Sequence, residues 1–466
     1  MLFVSKSAAI LRAAVCCALM LLVATAVVGQ TTTSFPGGWI EKQGTFTRAR
    51  YTASQIQSFV PPARGTFTFP APYRTKGIRI TDASDCGGAD CVNYIGYSYW
   101  RNTNAHESSA DMWIFVGLST AKGGQGPTLF KLNKATDVIT KVGPLFPSGS
   151  PFRTQSGETW YFSASRPNKL YINDGPRLLR YDVVSKVSDT VFDITAQFGS
   201  GRYVWQTHSS NDDLVHSGAL RVSATGEDLG CFVFNETTRK FSFFPKIGTY
   251  NECHLDKAGR YLLIQENTDG QYGDESVFIE LETGKQTIVM DQNGGLGHAD
   301  MGFGYALGMD NWNSLPGAAI TFSLAGIVKG PAVFYSNNWN MNPVNHVSHL
   351  NAKSTIPMSQ QFACGSNADY GSAQNEVVCF RLDASHDQLI VAPVMTDMNA
   401  PGGGSEYAKY PKGNLDISGR YFIWTSNMGG NRLDAFLVKV PSHLLTGSGD
   451  YAAPAAPVNL RVTTSR

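Results

Sequence analysis

The chain has 466 residues, with 38 Lys+Arg against 37 Asp+Glu, a formal net charge of +1. Near-neutrality excludes the general field that nucleic acid or an anionic membrane would need. An apolar fraction of 42% excludes a largely disordered chain. Charged residues, at 16%, fall below the roughly 25% usual for a soluble domain.

Residues 1–29 read as a secretory signal peptide. Lys6 and Arg12 form a positive start, 13–28 form an apolar run, and cleavage before Gln30 is expected. The run has 16 residues, short of the roughly 20 that span a bilayer. No later segment is apolar and long enough for stable membrane insertion. Loss of Lys6 and Arg12 leaves 36 basic and 37 acidic residues, net −1. The expected localisation is therefore secreted, periplasmic or extracellular.

The exported part keeps six cysteines, an even number in an oxidising compartment. Cys86 with Cys91, Cys364 with Cys379, and Cys231 with Cys253 are the expected disulfides. The CxxxxC spacing of Cys86 and Cys91 also suits half a zinc site, but no second pair with ligand spacing accompanies it.

Residues 30–65 form an extended leader rich in Thr, Gly, Pro and Ser. From 66 to 441, short β-type runs recur between turns: TWYFS (159–163), KLYI (169–172), LLRYD (178–182), SVFIEL (276–281) and YFIWT (421–425). Aromatic and β-branched residues dominate them, as half-buried strands require. Residues 442–466 read as an Ala/Pro linker and tail, and VNLRV (458–462) is similar to the first strand of a fibronectin type III domain.

The chain also aligns with itself. HLDKAGRYLLI (254–264) matches NLDISGRYFIW (414–424), and His298, His349 and His208 start looser copies. Successive spacings from His208 are 46, 44, 51 and 65. A period in the forties of all-β units predicts a seven-bladed β-propeller of four-stranded blades. Units start near 94, 160, 205, 251, 296, 346 and 411. The last has two clear strands, and 77–81 is expected to complete it and close the ring.

Innermost strands of such blades line a central channel. His208, His254, His298 and His349 then converge near one mouth, with Asn414 in the seventh unit. Imidazoles in this number are candidate ligands for a divalent metal (Mn, Zn or Ca). The alternative is structural, with each ring bonded to backbone at a blade edge. Asp256 and Asp300 either orient the rings or serve turns. Gln360 and Gln361 are further ligand-binding candidates. His216 falls on an expected second strand and reads as packing or surface, His346 has no counterpart in the other units, and His106, His386 and His443 lie in polar or terminal contexts. Trp100, Trp205, Trp312 and Trp339 either stack on sugars or fill the core. Asn235 begins a glycosylation sequon.

The DKAGRYLLI and DISGRYFIW units resemble the WD40-like repeat of TolB-type propellers. The units around Cys253 and His254 and around 421–426 are also similar to oligogalacturonate lyases. That family is a seven-bladed propeller with a metal held by His and Gln in its central cavity. The resemblance implies His254 as a ligand, and metal-assisted β-elimination on an acidic poly- or oligosaccharide. The family's His-x-His pair of the last blade falls here on Lys412, Gly413 and Asn414, which bring no imidazole. A non-catalytic propeller that binds glycan or protein is the alternative function.

Overall fold

In the computed structural model the described residues are 37–42, 50–59, 61, 63–93, 97–104, 108–150, 152, 160–271, 273–289, 296–310, 318–334, 346–370 and 375–446, all within the unit Pro36–Arg466. The signal peptide, His106, Trp312, Trp339 and the tail from 447 lie outside them.

Seven antiparallel sheets follow one another along the chain as the blades of a β-propeller. Blade 1 has Asp111–Leu118, Gly126–Asn133 and Ile139–Pro144, with Thr103 bridging to Ile114 on its inner side. Blades 2 to 5 are four-stranded, and their innermost strands are Tyr161–Phe162, Arg202–Ser209, Thr249–Leu255 and Asp300–Met301. Blade 6 starts at Val347–Ser348 and blade 7 at Asn414–Leu415. Both are five-stranded rather than four-stranded, because N-terminal strands join them.

Trp39–Lys42 pairs with the outer strand of blade 6, Asp387–Pro393. Lys76–Arg79 pairs with Asp434–Lys439 of blade 7, and Gly65–Thr68 adds outside it. The ring is therefore closed by segments from both ends of the propeller, as the two-stranded last unit required. Arg79 seals this junction through an ion pair with Asp434 at 2.6 Å.

The repeated DxxGRY motif is a turn. Asp256 accepts the N–H groups of Arg260 at 2.6 Å and Tyr261 at 2.9 Å, and that of Gly304 in the next blade at 3.1 Å. Asp416 accepts those of Arg420 and Tyr421 at 2.8 and 2.7 Å. Gly259 and Gly419 sit at φ +69° and +72°, where a side chain is strained. Asp256 is thus a turn residue and does not orient a histidine.

Apolar side chains fill the space between neighbouring sheets. Phe192, Phe232 and Phe234 pack blade 2 against blade 3, and Leu262, Ile264 and Val233 pack blade 3 against blade 4. Each fully buried side chain of this size contributes about 1.5–3 kcal/mol. Three disulfides join Cys86–Cys91, Cys231–Cys253 and Cys364–Cys379, as the cysteine arithmetic expects. The second ties the third strand of blade 3 to the innermost strand of blade 4, beside His254.

Candidate functional site at the axial mouth

The register of the innermost strands sets which side chains reach the channel. In blade 4 the hairpin turns between Asp256 and Tyr261, and in blade 5 between Gly302 and Tyr305. His254 pairs with Leu263 and Asp300 with Leu307. Asp300 therefore occupies the place of His254, and His298 the place of Glu252. The sequence alignment had matched His298 to His254, two residues away. His298 lies on a bend just before the strand Asp300–Met301, and its bond to Glu252 sets it beside His254.

The channel side chains form two tiers. Glu252, His298 and Lys412 share the upper position, and His208, His254, Asp300 and Asn414 the lower one. The turn 97–101 that leads into blade 1 packs across both tiers. Tyr97 lies 4.8 Å from the ring of His298 and 4.7 Å from that of His346. Tyr99 lies 4.5 Å from His254, and Trp100 stacks on His208 at 5.1 Å.

Glu252 is the hub. It is buried, and its Oε2 accepts from the Tyr99 hydroxyl at 2.6 Å. Its Oε1 accepts from Nδ1 of His298 at 3.1 Å. Nε2 of His254 also lies 3.1 Å from Oε1, but off the donor line, and makes no hydrogen bond. Burial works to raise the Glu252 pKa, yet His254 and His298 outweigh it and hold the carboxyl well below its usual range. Burial, with His254 beside it, pushes the His208 imidazole well below its usual pKa.

His346 joins this group although the sequence offered no reason to choose it. Its ring is parallel to that of His298, 4.6 Å away, and neither nitrogen has a hydrogen bond. Burial and then the charges of His298 and Lys412 hold its pKa well below the usual value. Lys412 is itself buried, with its ammonium 3.9 Å above the Tyr407 ring.

Other expected site residues are placed elsewhere. Nδ1 of His349 donates to Phe362 O at 3.0 Å, and Nε2 accepts from the Tyr305 hydroxyl at 2.6 Å. Both nitrogens are therefore occupied, and His349 does not meet the other histidines. Asp300 accepts from His349 N–H and from Lys257 Nζ. Asn414 donates to Asn102 at 2.8 Å and ties blade 7 to blade 1. Gln361 bonds to the backbone of Lys353 and Ile356, and Gln360 is exposed on a 3-10 turn. His216 is buried in a chain that runs from Tyr161 through Ser209 to His216 and Glu236. Trp205 is half-buried under Arg221.

Glu252 was legible in principle. It stands two residues before His254 on one strand, and that spacing puts both on one face. Tyr97 and Tyr99 carried no signal, because they meet the histidines only through tertiary packing.

No family profile matches the chain, and no curated protein matches its sequence. Its fold matches solved structures. An oligogalacturonate lyase in complex with manganese superposes with TM-score 0.56 at 11% identity, covering 83% of this chain and 98% of that one. An oligogalacturonate lyase from Vibrio parahaemolyticus gives 0.57 at 10% identity, covering 82% and 100%. The fold is therefore that of a seven-bladed propeller similar to these lyases.

The side chains here do not fit a metal as placed. His254 and His298 both converge on one oxygen of Glu252, and His349 is occupied. Among the described residues no group of three or more His, Cys, Asp or Glu is arranged to hold an ion.

Proposed function

We propose that this is an exported propeller whose axial mouth binds an acidic oligosaccharide and abstracts a proton from it, a lyase-like β-elimination. The observation that carries the reading is the His298–Glu252 pair. His298 is half-buried, with its side chain 25% exposed, and Nδ1 is anchored on a buried carboxylate. Glu252 fixes the tautomer with the proton on Nδ1, so Nε2 presents a lone pair. In the elimination, Nε2 takes the C5 proton next to the uronate carboxylate. The C–H electrons form the C4–C5 double bond, the C4–O bond breaks, and water protonates the departing oxygen. His298 then returns its proton to solvent.

The fold shared with the two lyases supports an acidic sugar as the ligand. The three disulfides and the N-terminal signal support an exported site. Among the described residues no helix is long and apolar enough to cross a membrane. A second reading is favoured by the half-buried Tyr97 and the exposed Tyr407, whose ring centroids lie 6.4 Å apart beside the histidines. There the mouth presents aromatic faces to a glycan and performs no chemistry. Incubation with oligogalacturonate, followed by ultraviolet absorbance of the unsaturated product, separates the two. Product that disappears in His298→Gln supports elimination. Binding without product in the native protein supports the second reading.

A further inference from the structure

Arg101 is a buried cation that forms no ion pair among the described residues. Arg101 is 5% exposed. Its Nε donates to Phe162 O at 2.6 Å, and Phe162 N–H donates back to Arg101 O at 2.9 Å. These bonds pin it to the innermost strand of blade 2. The guanidinium lies 5.6 Å from the centre of the Tyr161 ring. The Tyr161 hydroxyl meets Ser209, the residue after His208, and Trp100 stacks on His208 itself. The charge of Arg101 is also felt at His208 and at Lys257, which sets the guanidinium beside the lower tier of the channel.

Nη1 and Nη2 of Arg101 make no hydrogen bond or ion pair among the described residues. The nearby carboxylates have other partners. Asp213 accepts from Ser163 and Ser165, Asp300 from Lys257 and His349, and Glu252 from Tyr99 and His298. Lys257 brings a second buried cation, whose pKa is lowered chiefly by burial, with the charge of Arg101 adding to the effect. A guanidinium cannot escape burial by losing its proton. Left without an ion pair, it gains from an incoming anion.

We propose that Arg101 anchors an oxyanion site inside the channel, its fork taking two oxygens of one anion side by side. The source of the oxyanion is either the carboxylate of an acidic sugar or a free inorganic anion. The sugar assignment rests on the function proposed above, whereas the site itself does not.

Calorimetric titration of the full exported chain with D-galacturonate, D-galactose and sodium sulfate tests it. Galacturonate is expected to bind at least tenfold more tightly than galactose. Arg101→Gln is expected to weaken galacturonate on the order of tenfold to a hundredfold, with Arg101→Lys in between. Sulfate binding that depends on Arg101, without galacturonate binding, supports the site and assigns it to a free anion. The site is overturned if neither anion binds, or if Arg101→Lys, which keeps charge and fold, binds as tightly as native protein. His298→Gln should lose product but keep galacturonate affinity. Arg101-dependent binding with no elimination in native protein therefore overturns only the catalytic reading.

Discussion

Nδ1 of His298 and Oε1 of Glu252 stand 3.1 Å apart, across the boundary between blades 5 and 4. The carboxylate is buried and the imidazole 25% exposed, so the pair couples a partly exposed ring to a buried charge. Replacing Glu252 with Gln keeps the shape but removes the charge that stabilises protonated His298. Activity on oligogalacturonate is expected to fall about 10²–10⁴-fold in Glu252→Gln and in His298→Gln. The check is initial rate of unsaturated product, with circular dichroism to confirm folding. Native activity in either variant would remove the pair from the reaction.

Acid should destabilise the protein through its buried histidines. Burial, and then Lys257, holds the His349 pKa at about 4, against 6.5 for a free imidazole. Between these values the unfolded chain binds the proton and the folded one does not, so stability falls as pH drops from 6.5 towards 4. This one residue accounts for about 3 kcal/mol across that window. His208 and His346, also depressed, act in the same direction. Below that range the depressed Glu252 adds to the loss, since its stabilisation disappears as pH falls through its folded pKa. Melting temperature followed from pH 7 to 4 should decline steeply, and His349→Asn should flatten the decline.

Chelation bears on the donor geometry. With His254 and His298 turned onto one carboxylate oxygen, EDTA is expected to leave galacturonate affinity unchanged. Calorimetry before and after chelator measures this. Loss of binding that Mn²⁺ restores would mean that Glu252 and its histidines open to admit an ion.

The disulfide Cys231–Cys253 closes a loop of 22 residues between blades 3 and 4. The double variant Cys231→Ser with Cys253→Ser is expected to lose about 2–5 kcal/mol of stability. Denaturant unfolding measures it. Because Cys253 precedes His254 directly, the same variant should also weaken ligand binding.

Asp256 has four backbone donors on a buried carboxylate. Asp256→Ala leaves those amides unpaired and is expected to cost about 2–3 kcal/mol. An equal loss in Asp416→Ala would confirm that the repeated motif is a turn device.

The architecture was readable because a propeller repeats. DKAGRY and DISGRY mark equivalent turns, and alternation puts His208 and His254 on the channel face. Unit length and ring closure followed from the same repeats. The site was only half readable. His298 and His349 were matched by residue type, whereas hydrogen-bond register decides position, and blade 5 turns two residues later than the alignment assumed. His349 then finds Tyr305 and Phe362 instead of its fellow histidines. Tyr97 and Tyr99 reach the histidines only through tertiary packing. No local pattern records such a contact, because it depends on where seven sheets close.

That closure has a consequence for biosynthesis. Arg79 and its partner Asp434 are 355 residues apart in sequence. The hairpin that carries Arg79 emerges among the first strands of the propeller, and its Lys76–Arg79 edge has no partner until blade 7 has been made. During synthesis, Gly65–Thr68 and Lys76–Arg79 must wait as a hairpin with one open edge while blades 1 to 6 form. A chain cut short before Asp434 would leave this hairpin and the Tyr421–Ser426 edge of blade 7 exposed together, which invites pairing between molecules. The propeller's quality control is thus deferred to its last fifty residues, and its axial mouth exists only after they arrive.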